Sequence, residues 1–217
     1  MLYAKNYKSG HTKTSAKQDN EKLKGQLLDV DFQLGKVVFK DGTSSQENLN
    51  YHLPSNRICY INEQNEPFVL VELRDILMIS YGNRTFVPVN NVSVAELLKT
   101  FSDGSRLLLQ RQAKTEVGDD NSGAYGASTV TSSVVKLTSL RLEGHTSNFE
   151  VADDKSLVIR EKFTLTMNGK NYTISKLKSL KKIYPSKWKA IEGYAAQNKP
   201  NLKNQQDLIT LLEFCTK

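Results

Sequence analysis

The chain has 217 residues, of which 38% are hydrophobic and 24% are charged, a composition typical of a globular protein rather than a disordered one. No segment approaches the roughly 18 consecutive apolar residues that a membrane-spanning helix needs. The net charge of +7 is unevenly distributed, because residues 155–217 carry +9, residues 1–24 carry +4 and residues 25–154 carry −6.

Residues 1–24 are polar and contain six lysines, and they predict an N-terminal tail without the apolar core of a signal peptide. Two locations are consistent with this tail. The protein is cytoplasmic, or it is periplasmic or in the cell envelope after removal of a signal peptide upstream of Met1.

Short apolar segments alternate with turn residues from about Gly25 onward. They lie at residues 36–40, 57–61, 68–71, 76–81 and 85–89. Strands of about five residues at this spacing predict an antiparallel meander in a sandwich or a small barrel.

Residues 92–112 are consistent with two structures. Apolar residues recur there at helical spacing, at Val94, Leu97, Leu98 and Phe101. However, Asp103-Gly104 in the middle of the segment is typical of a β-hairpin turn. We favour the hairpin because it continues the strand pattern on either side.

Residues 115–133 are rich in Gly, Ser, Thr and Asp and predict a long exposed loop. Further strands are expected near residues 134–142 and 156–167. Asn168-Gly169 is the strongest hairpin signal in the chain, because a type I′ turn needs positive φ at both central residues. It predicts pairing between residues 163–167 and 171–174.

The apolar period becomes helical after Ser175 and predicts a cap of three short helices over residues 175–217. The first ends before Pro185, and the second is centred on residues 188–195. The third begins after Asn204, which has the side chain of a good N-cap.

Six segments taken in order resemble a family of uncharacterised exported proteins of Bacteroidetes. These segments are Val38-Phe39-Lys40-Asp41-Gly42-Thr43, Leu49-Asn50-Tyr51, Asn83-Arg84-Thr85-Phe86-Val87-Pro88, Leu107-Leu108-Leu109-Gln110-Arg111, Gly123-Ala124-Tyr125-Gly126 and Leu211-Leu212-Glu213-Phe214-Cys215. The resemblance covers roughly residues 30–217 and implies export to the cell envelope. It carries no catalytic residues across.

The histidine and cysteine residues predict no metal site. His11, His52 and His145 are too far apart in sequence to form a ligand pair on one element, and the two cysteines have no zinc spacing. Cys59 falls within a predicted strand and Cys215 on an apolar helical face. We therefore expect two reduced, buried thiols.

No residue pattern indicates catalysis or a cofactor. Asp119-Asp120 and Asp153-Asp154 are adjacent pairs in predicted loops, where carboxylates usually lie in solvent. Ser128 lies in a glycine-rich loop rather than in Gly-x-Ser-x-Gly, and the glycines around Tyr125 form neither a P-loop nor a dinucleotide fingerprint. The sequence therefore predicts no catalytic, cofactor-binding or metal-binding residues.

A lysine cluster near the C-terminus is the sharpest candidate for a partner contact. Its members are Lys176, Lys178, Lys181, Lys182, Lys187 and Lys189. Tyr184 and Trp188 lie between them, and lysines mixed with aromatics can bind phosphates and stack bases. Alternatively, the aromatic and aliphatic residues pack inward while the lysines are solvated. We favour the second interpretation, and no arginine is present to recognise bases.

The predicted fold class is therefore α+β, with an antiparallel β-rich sandwich or barrel-like body over residues 25–174 and a helical cap over residues 175–217. The expected role is that of a non-enzymatic accessory or interaction module of the cell envelope. The first alternative is a nucleic-acid or anionic-surface binder that uses the lysine cluster, and the second is an enzyme. We expect a protein or envelope partner and only weak, non-specific binding of polyanions.

Overall fold

The computed structural model describes residues 26–62, 67–70, 72–116, 140–142, 145–147 and 156–217. The tail predicted at residues 1–24, most of the loop predicted at residues 115–133 and the start of the strand predicted at residues 134–142 lie outside these ranges.

Twelve strands occur in the described part of the chain. They are β1 (Gln33–Phe39), β2 (Ser44–His52), β3 (Arg57–Ile61), β4 (Pro67–Val69), β5 (Ile76–Tyr81), β6 (Arg84–Pro88), β7 (Val94–Thr100), β8 (Arg106–Glu116), β9 (Leu140–Leu142), β10 (His145–Ser147), β11 (Ser156–Met167) and β12 (Lys170–Thr173). Ten of them form one antiparallel sheet in the order β12-β11-β8-β7-β6-β5-β1-β2-β3-β4, while β9 pairs with β10. The predicted antiparallel β-rich body is confirmed.

Local turn chemistry connects neighbouring strands of the sheet. Asn168 and Gly169 both have positive φ between β11 and β12, which confirms the predicted two-residue hairpin. The β1–β2 and β7–β8 turns share another design. Asp41 accepts hydrogen bonds from the backbone and side chain of Thr43, and Asp103 does the same for Ser105. A glycine with positive φ follows each aspartate.

Strands β7 and β8 test two predictions, the structure of residues 92–112 and the start of the loop predicted at residue 115. Residues 92–112 contain the β7–β8 hairpin, so the favoured alternative is confirmed. The loop predicted from residue 115 is wrong at its start, because β8 continues through Glu116. Thr115 and Glu116 pair with Leu157 and Ser156 in a ladder of eleven residue pairs, and this pairing outweighs their polar composition.

Three helices follow the sheet, as predicted: α1 (Lys178–Ile183), α2 (Trp188–Asn198) and α3 (Gln205–Thr216). Asn204 caps α3 by accepting a hydrogen bond from the backbone of Asp207 at 3.0 Å. With ten strands in one sheet and a short helical end, the chain has the predicted α+β fold. None of the described helices is long and apolar enough to cross a membrane.

The helices share one apolar core with the β7–β8–β11–β12 end of the sheet. Leu107, Leu109, Phe163 and Leu165 alternate along β8 and β11 and are buried on the same face. The helices contribute the other half of this core, from Leu180, Ile183, Tyr184, Ile191, Leu208, Leu211, Leu212 and Cys215. The helices and this end of the sheet therefore bury their apolar side chains against each other.

The other half of the sheet curls around a second core. Strands β2 and β6 are separated by β1 and β5, which in a flat sheet would place them about 14 Å apart. Yet the ring of Phe86 stacks on both Tyr51 and Tyr81, with centroids 5.3 Å apart in each pair. The sheet must therefore bend strongly between these strands.

Gly35 lies in β1 at the inside of this bend. A Cβ atom there would be 2.5 Å from the carbonyl oxygen of Ser80, 2.7 Å from Leu49 Cδ1 and 2.7 Å from Tyr81 Cβ. Two of these atoms belong to β5, the next strand. A side chain at position 35 would consequently push β1 away from β5 and open the curl.

We predict that Gly35→Ala lowers the free energy of unfolding by about 2 kcal/mol, because the added methyl group overpacks the bend. The matched control is Gly193→Ala in α2, where a Cβ meets nothing within 4 Å. That change is expected to stabilise the protein by up to about 1 kcal/mol. Urea titration followed by circular dichroism measures both. Equal stability of Gly35→Ala and the parent would show that the bend has room for a side chain.

Candidate functional site

A row of five alternating charges crosses the inner face of the sheet. Arg84 of β6 donates from Nη1 to both carboxylate oxygens of Asp29 at 2.7 Å, and its Nε lies 3.8 Å from Glu96 of β7. Glu96 also accepts from Nη1 of Arg111 on β8. Nε of Arg111 donates to Glu161 of β11 at 3.1 Å. We call these five residues the charge ladder.

The charge ladder lies on the same face as both apolar cores. Phe86 pairs with Glu96, and Glu96 pairs with Leu109, so one row of side chains runs from the curled half to the helical half. Glu96 is only 8% exposed. Each charge of the ladder has a neighbour of opposite sign, which offsets part of the free-energy cost of burying it. Its arrangement is that of a structural ion-pair network.

Strands β8 and β11 carry Arg111 and Glu161 at one end of the ladder, and both are longer than the strands beside this pair. The carbonyl group of Arg111 points away from β11, and the hydroxyl of Tyr51 lies 3.0 Å from its oxygen and 2.8 Å from Asn56 Oδ1. Burial raises the pKa of Tyr51 to about 12, so the hydroxyl is a hydrogen-bond donor at neutral pH. The turn between β2 and β3 is thereby held against β8.

A shallow depression of about 250 Å³ adjoins this end of the ladder. It is lined by Asn56, Gln110, Gln112, Arg160, Glu161 and Lys162. All six lining residues are polar or charged, and the volume is below the roughly 300–1,000 Å³ of most small-molecule sites. Nothing in this geometry combines a nucleophile with a base.

His52 has a structural environment rather than a catalytic one. The ring is buried, with Nδ1 2.7 Å from Ser55 Oγ and Nε2 3.2 Å from Gln26 Oε1. Burial, followed by the charge of Arg57, lowers the pKa of His52 to about 4. A neutral imidazole therefore links β2 to the segment that precedes β1. In the described part of the chain, no group of three His, Cys, Asp or Glu residues is arranged to hold a metal ion.

The cysteines are reduced and buried, as predicted. Burial raises the pKa of each thiol to about 12, so neither is a nucleophilic thiolate near neutral pH. Cys59 packs beside Val69 in the sheet, and Cys215 belongs to the core beneath the helices. His11 and the four adjacent aspartates at 119–120 and 153–154 lie outside the described residues, as do Tyr125 and Ser128.

The six lysines predicted as a partner contact all lie on or beside the first two helices. Lys176 precedes α1, which carries Lys178, Lys181 and Lys182, while Lys187 and Lys189 flank the start of α2. All six residues are exposed. Residues 175–191 contain no acidic residue. We call these six lysines the basic helical face.

The aromatic residues between these lysines support the core, as the favoured interpretation predicted. Tyr184 is 6% exposed, and its hydroxyl lies 3.4 Å from Asp103 in the β7–β8 turn. Trp188 is partly buried against the helical core, and Lys181 Nζ lies 6.0 Å from its ring centroid. Lys187 donates to the carbonyl of Cys215 near the end of α3, at 2.9 Å. Tyr184 is therefore unavailable for stacking on a base.

Comparison with protein-family models, with curated proteins and with solved structures gives no significant match. The similarity to exported Bacteroidetes proteins therefore stays a prediction.

We predict that Glu96→Gln lowers the free energy of unfolding by about 2 kcal/mol, because it removes the central negative charge between two partly buried guanidinium groups. Glu213→Gln is the matched control. Glu213 pairs with Lys99 at 3.0 Å, but both side chains are more than 40% exposed, so its loss should cost less than about 1 kcal/mol. Chemical denaturation of both variants at pH 7 checks this. Similar losses would mean that burial adds nothing to the ladder.

We predict a stability loss on acidification that depends on His52. The pKa is about 4 in the folded state and about 6.5 in the unfolded state, so the unfolded state takes up the proton first. Stability from this group is complete above pH 6.5 and is lost as the pH falls toward 4. The loss between pH 7 and pH 5 should be about 2 kcal/mol.

His52→Gln isolates this contribution, because it keeps a polar side chain of similar reach and removes the titration. Denaturation of the parent and the variant at pH 7, 6 and 5 compares their slopes, and carboxylate effects common to both cancel. A variant whose stability falls as steeply as that of the parent would assign the acid sensitivity to other groups.

Proposed function

We propose that this protein is a non-enzymatic interaction module of the cell envelope that binds an acidic protein partner through its basic helical face. The proposal depends on how the side chains of residues 175–191 are divided between the core and the surface. The apolar and aromatic side chains of this segment pack against the sheet, and its six lysines extend outward without an acidic residue among them. Such a surface attracts negative charge and raises association rates.

The charges of the sheet body favour the helical end as the contact. The ladder pairs its two arginines with three carboxylates, so these groups already have partners. Residues 25–154 carry a net charge of −6. An acidic partner would thus be repelled by most of the body and attracted to one end, which favours a single orientation.

Two features favour a folded acidic protein over a nucleic acid or a lipid surface. Lys187 is held by the carbonyl of Cys215 and Lys181 lies over Trp188, so part of the charge pattern has fixed positions. Fixed charges complement a fixed set of carboxylates. Recognition of bases would require arginines or exposed aromatic rings, whereas the face presents lysines and buries Tyr184.

We predict that the triple variant Lys178→Gln, Lys181→Gln and Lys182→Gln weakens binding to fluorescently labelled poly-glutamate by about tenfold at about 50 mM salt. The matched control is Lys36→Gln, Lys170→Gln and Lys203→Gln, which changes the net charge equally at exposed positions elsewhere. It should lose less than about threefold. Fluorescence anisotropy measures both, together with thermal melting to verify folding.

Two further probes distinguish the partner classes. Unrelated DNA and RNA oligonucleotides should bind weakly, with similar affinities that fall steeply between about 50 and 200 mM salt. Vesicles containing phosphatidylglycerol should bind no better than poly-glutamate. Equal losses in the two triple variants would refute the basic helical face as the contact. A preference of about a thousandfold for one oligonucleotide would instead indicate specific nucleic-acid binding.

A further inference from the structure

Among the described strands, none pairs with one side of β11 over more than half of its length. β12 pairs only with Thr164–Met167, and the chain continues from Ile174, whose N–H donates to Phe163. Over Ser156–Lys162, β11 is bonded to β8 on one side, and no described strand pairs with the other side. This seven-residue stretch, which we call the open edge, is independent of the basic helical face.

The hydrogen-bond pattern shows which backbone groups lie along the open edge. The N–H of Ile174 donates to the carbonyl of Phe163, so the odd-numbered residues of β11 direct their backbone groups toward β12. The ladder with β8 runs without a register shift from Ser156 to Thr166. The N–H and C=O groups of residues 157, 159 and 161 therefore point outward along the open edge.

We propose that the open edge binds the same edge of a second copy of this chain, in an antiparallel pair centred on Ile159. The open edge runs from residue 156 to residue 162, and Ile159 is its midpoint. A twofold axis at Ile159 therefore overlaps all seven residues with their copies. In this register the outward groups of residues 157, 159 and 161 meet those of residues 161, 159 and 157, which gives about six hydrogen bonds.

The side chains agree with this register. Ile159 is 50% exposed in the monomer and would face its own copy, so the dimer buries an apolar side chain at its centre. Glu161 comes opposite Leu157, and Lys162 comes opposite Ser156. Like charges meet only diagonally, between the two copies of Arg160.

Charge and chain path disfavour a register shifted toward the C-terminal end of the open edge. A twofold axis at residue 161 would place Glu161 opposite itself and Lys162 opposite Arg160, and both pairs repel. It would also bring the second copy against Ile174, which already pairs with Phe163. The segment has no proline and no bulge, two devices that commonly prevent edge pairing. A twofold axis at Ile159 uses the same edge on both copies, so assembly ends at a dimer.

Sedimentation equilibrium of the full chain from about 1 µM to about 1 mM tests the proposal. The parent should pass from monomer to dimer across this range. Ile159→Lys places like charges opposite each other, and Leu34→Lys is the matched control on a residue 66% exposed in β1. We expect Ile159→Lys to remain monomeric and Leu34→Lys to dimerise like the parent.

A second variant tests the hydrogen bonds rather than the side chain. Ile159→Pro removes an N–H that points outward, so the ladder with β8 keeps its bonds while the dimer loses its central pair. Circular dichroism verifies folding. A parent that remains monomeric at every concentration would overturn the proposal. So would a dimer that persists in both Ile159 variants, because the interface would then lie elsewhere.

Discussion

The bend of the sheet at Gly35 is the constraint on which the rest of this structure depends. Without a side chain at that position, β1 can approach β5 closely enough for β2 and β6 to face each other. The stack of Tyr51, Phe86 and Tyr81 then fills the space that the bend encloses. A ten-stranded sheet that stayed flat would leave these rings in water, because no described helix covers this half.

The bend also explains why charged residues can lie on the inner face. The curled half closes over its own aromatic residues, whereas the other half is closed by the helices, and the two cores meet along β6, β7 and β8. Arg84, Glu96 and Arg111 lie along this boundary. Side chains in such a position are shielded from water without being enclosed by apolar groups. In an alternating row, each charge has a partner of opposite sign, so the free-energy cost of burying these side chains is lower than for isolated charges.

Sequence reasoning succeeded where the determinants are local. The Asn168-Gly169 turn, the Asn204 cap and the end of α1 near Pro185 each depend on residues a few positions apart. The charge ladder could not be found in this way, because Asp29 and Arg84 are 55 residues apart and meet only through the order of the strands. Among the described residues, the buried carboxylate is Glu96, which no motif in the sequence singles out. One signal was available in the sequence, because Glu96 stands between apolar residues in β7. It shares the core-facing side of the strand with Val94.

Groups that already have interaction partners form the framework of the protein, whereas groups without them are candidates for a contact surface. In the ladder, each guanidinium group has carboxylate partners, and in His52 both ring nitrogens have neighbours. These groups have little interaction left for another molecule. The basic helical face and the open edge are different, because within the described residues no lysine of the face forms an ion pair and no strand pairs with the outward backbone groups of the edge. Charge attracts over the Debye length, about 8 Å at physiological salt, whereas strand pairing acts only in contact.

If both proposals hold, a dimer joined at Ile159 would present two basic helical faces. Binding at one face would then raise the effective concentration of the other at any acidic partner that reaches both.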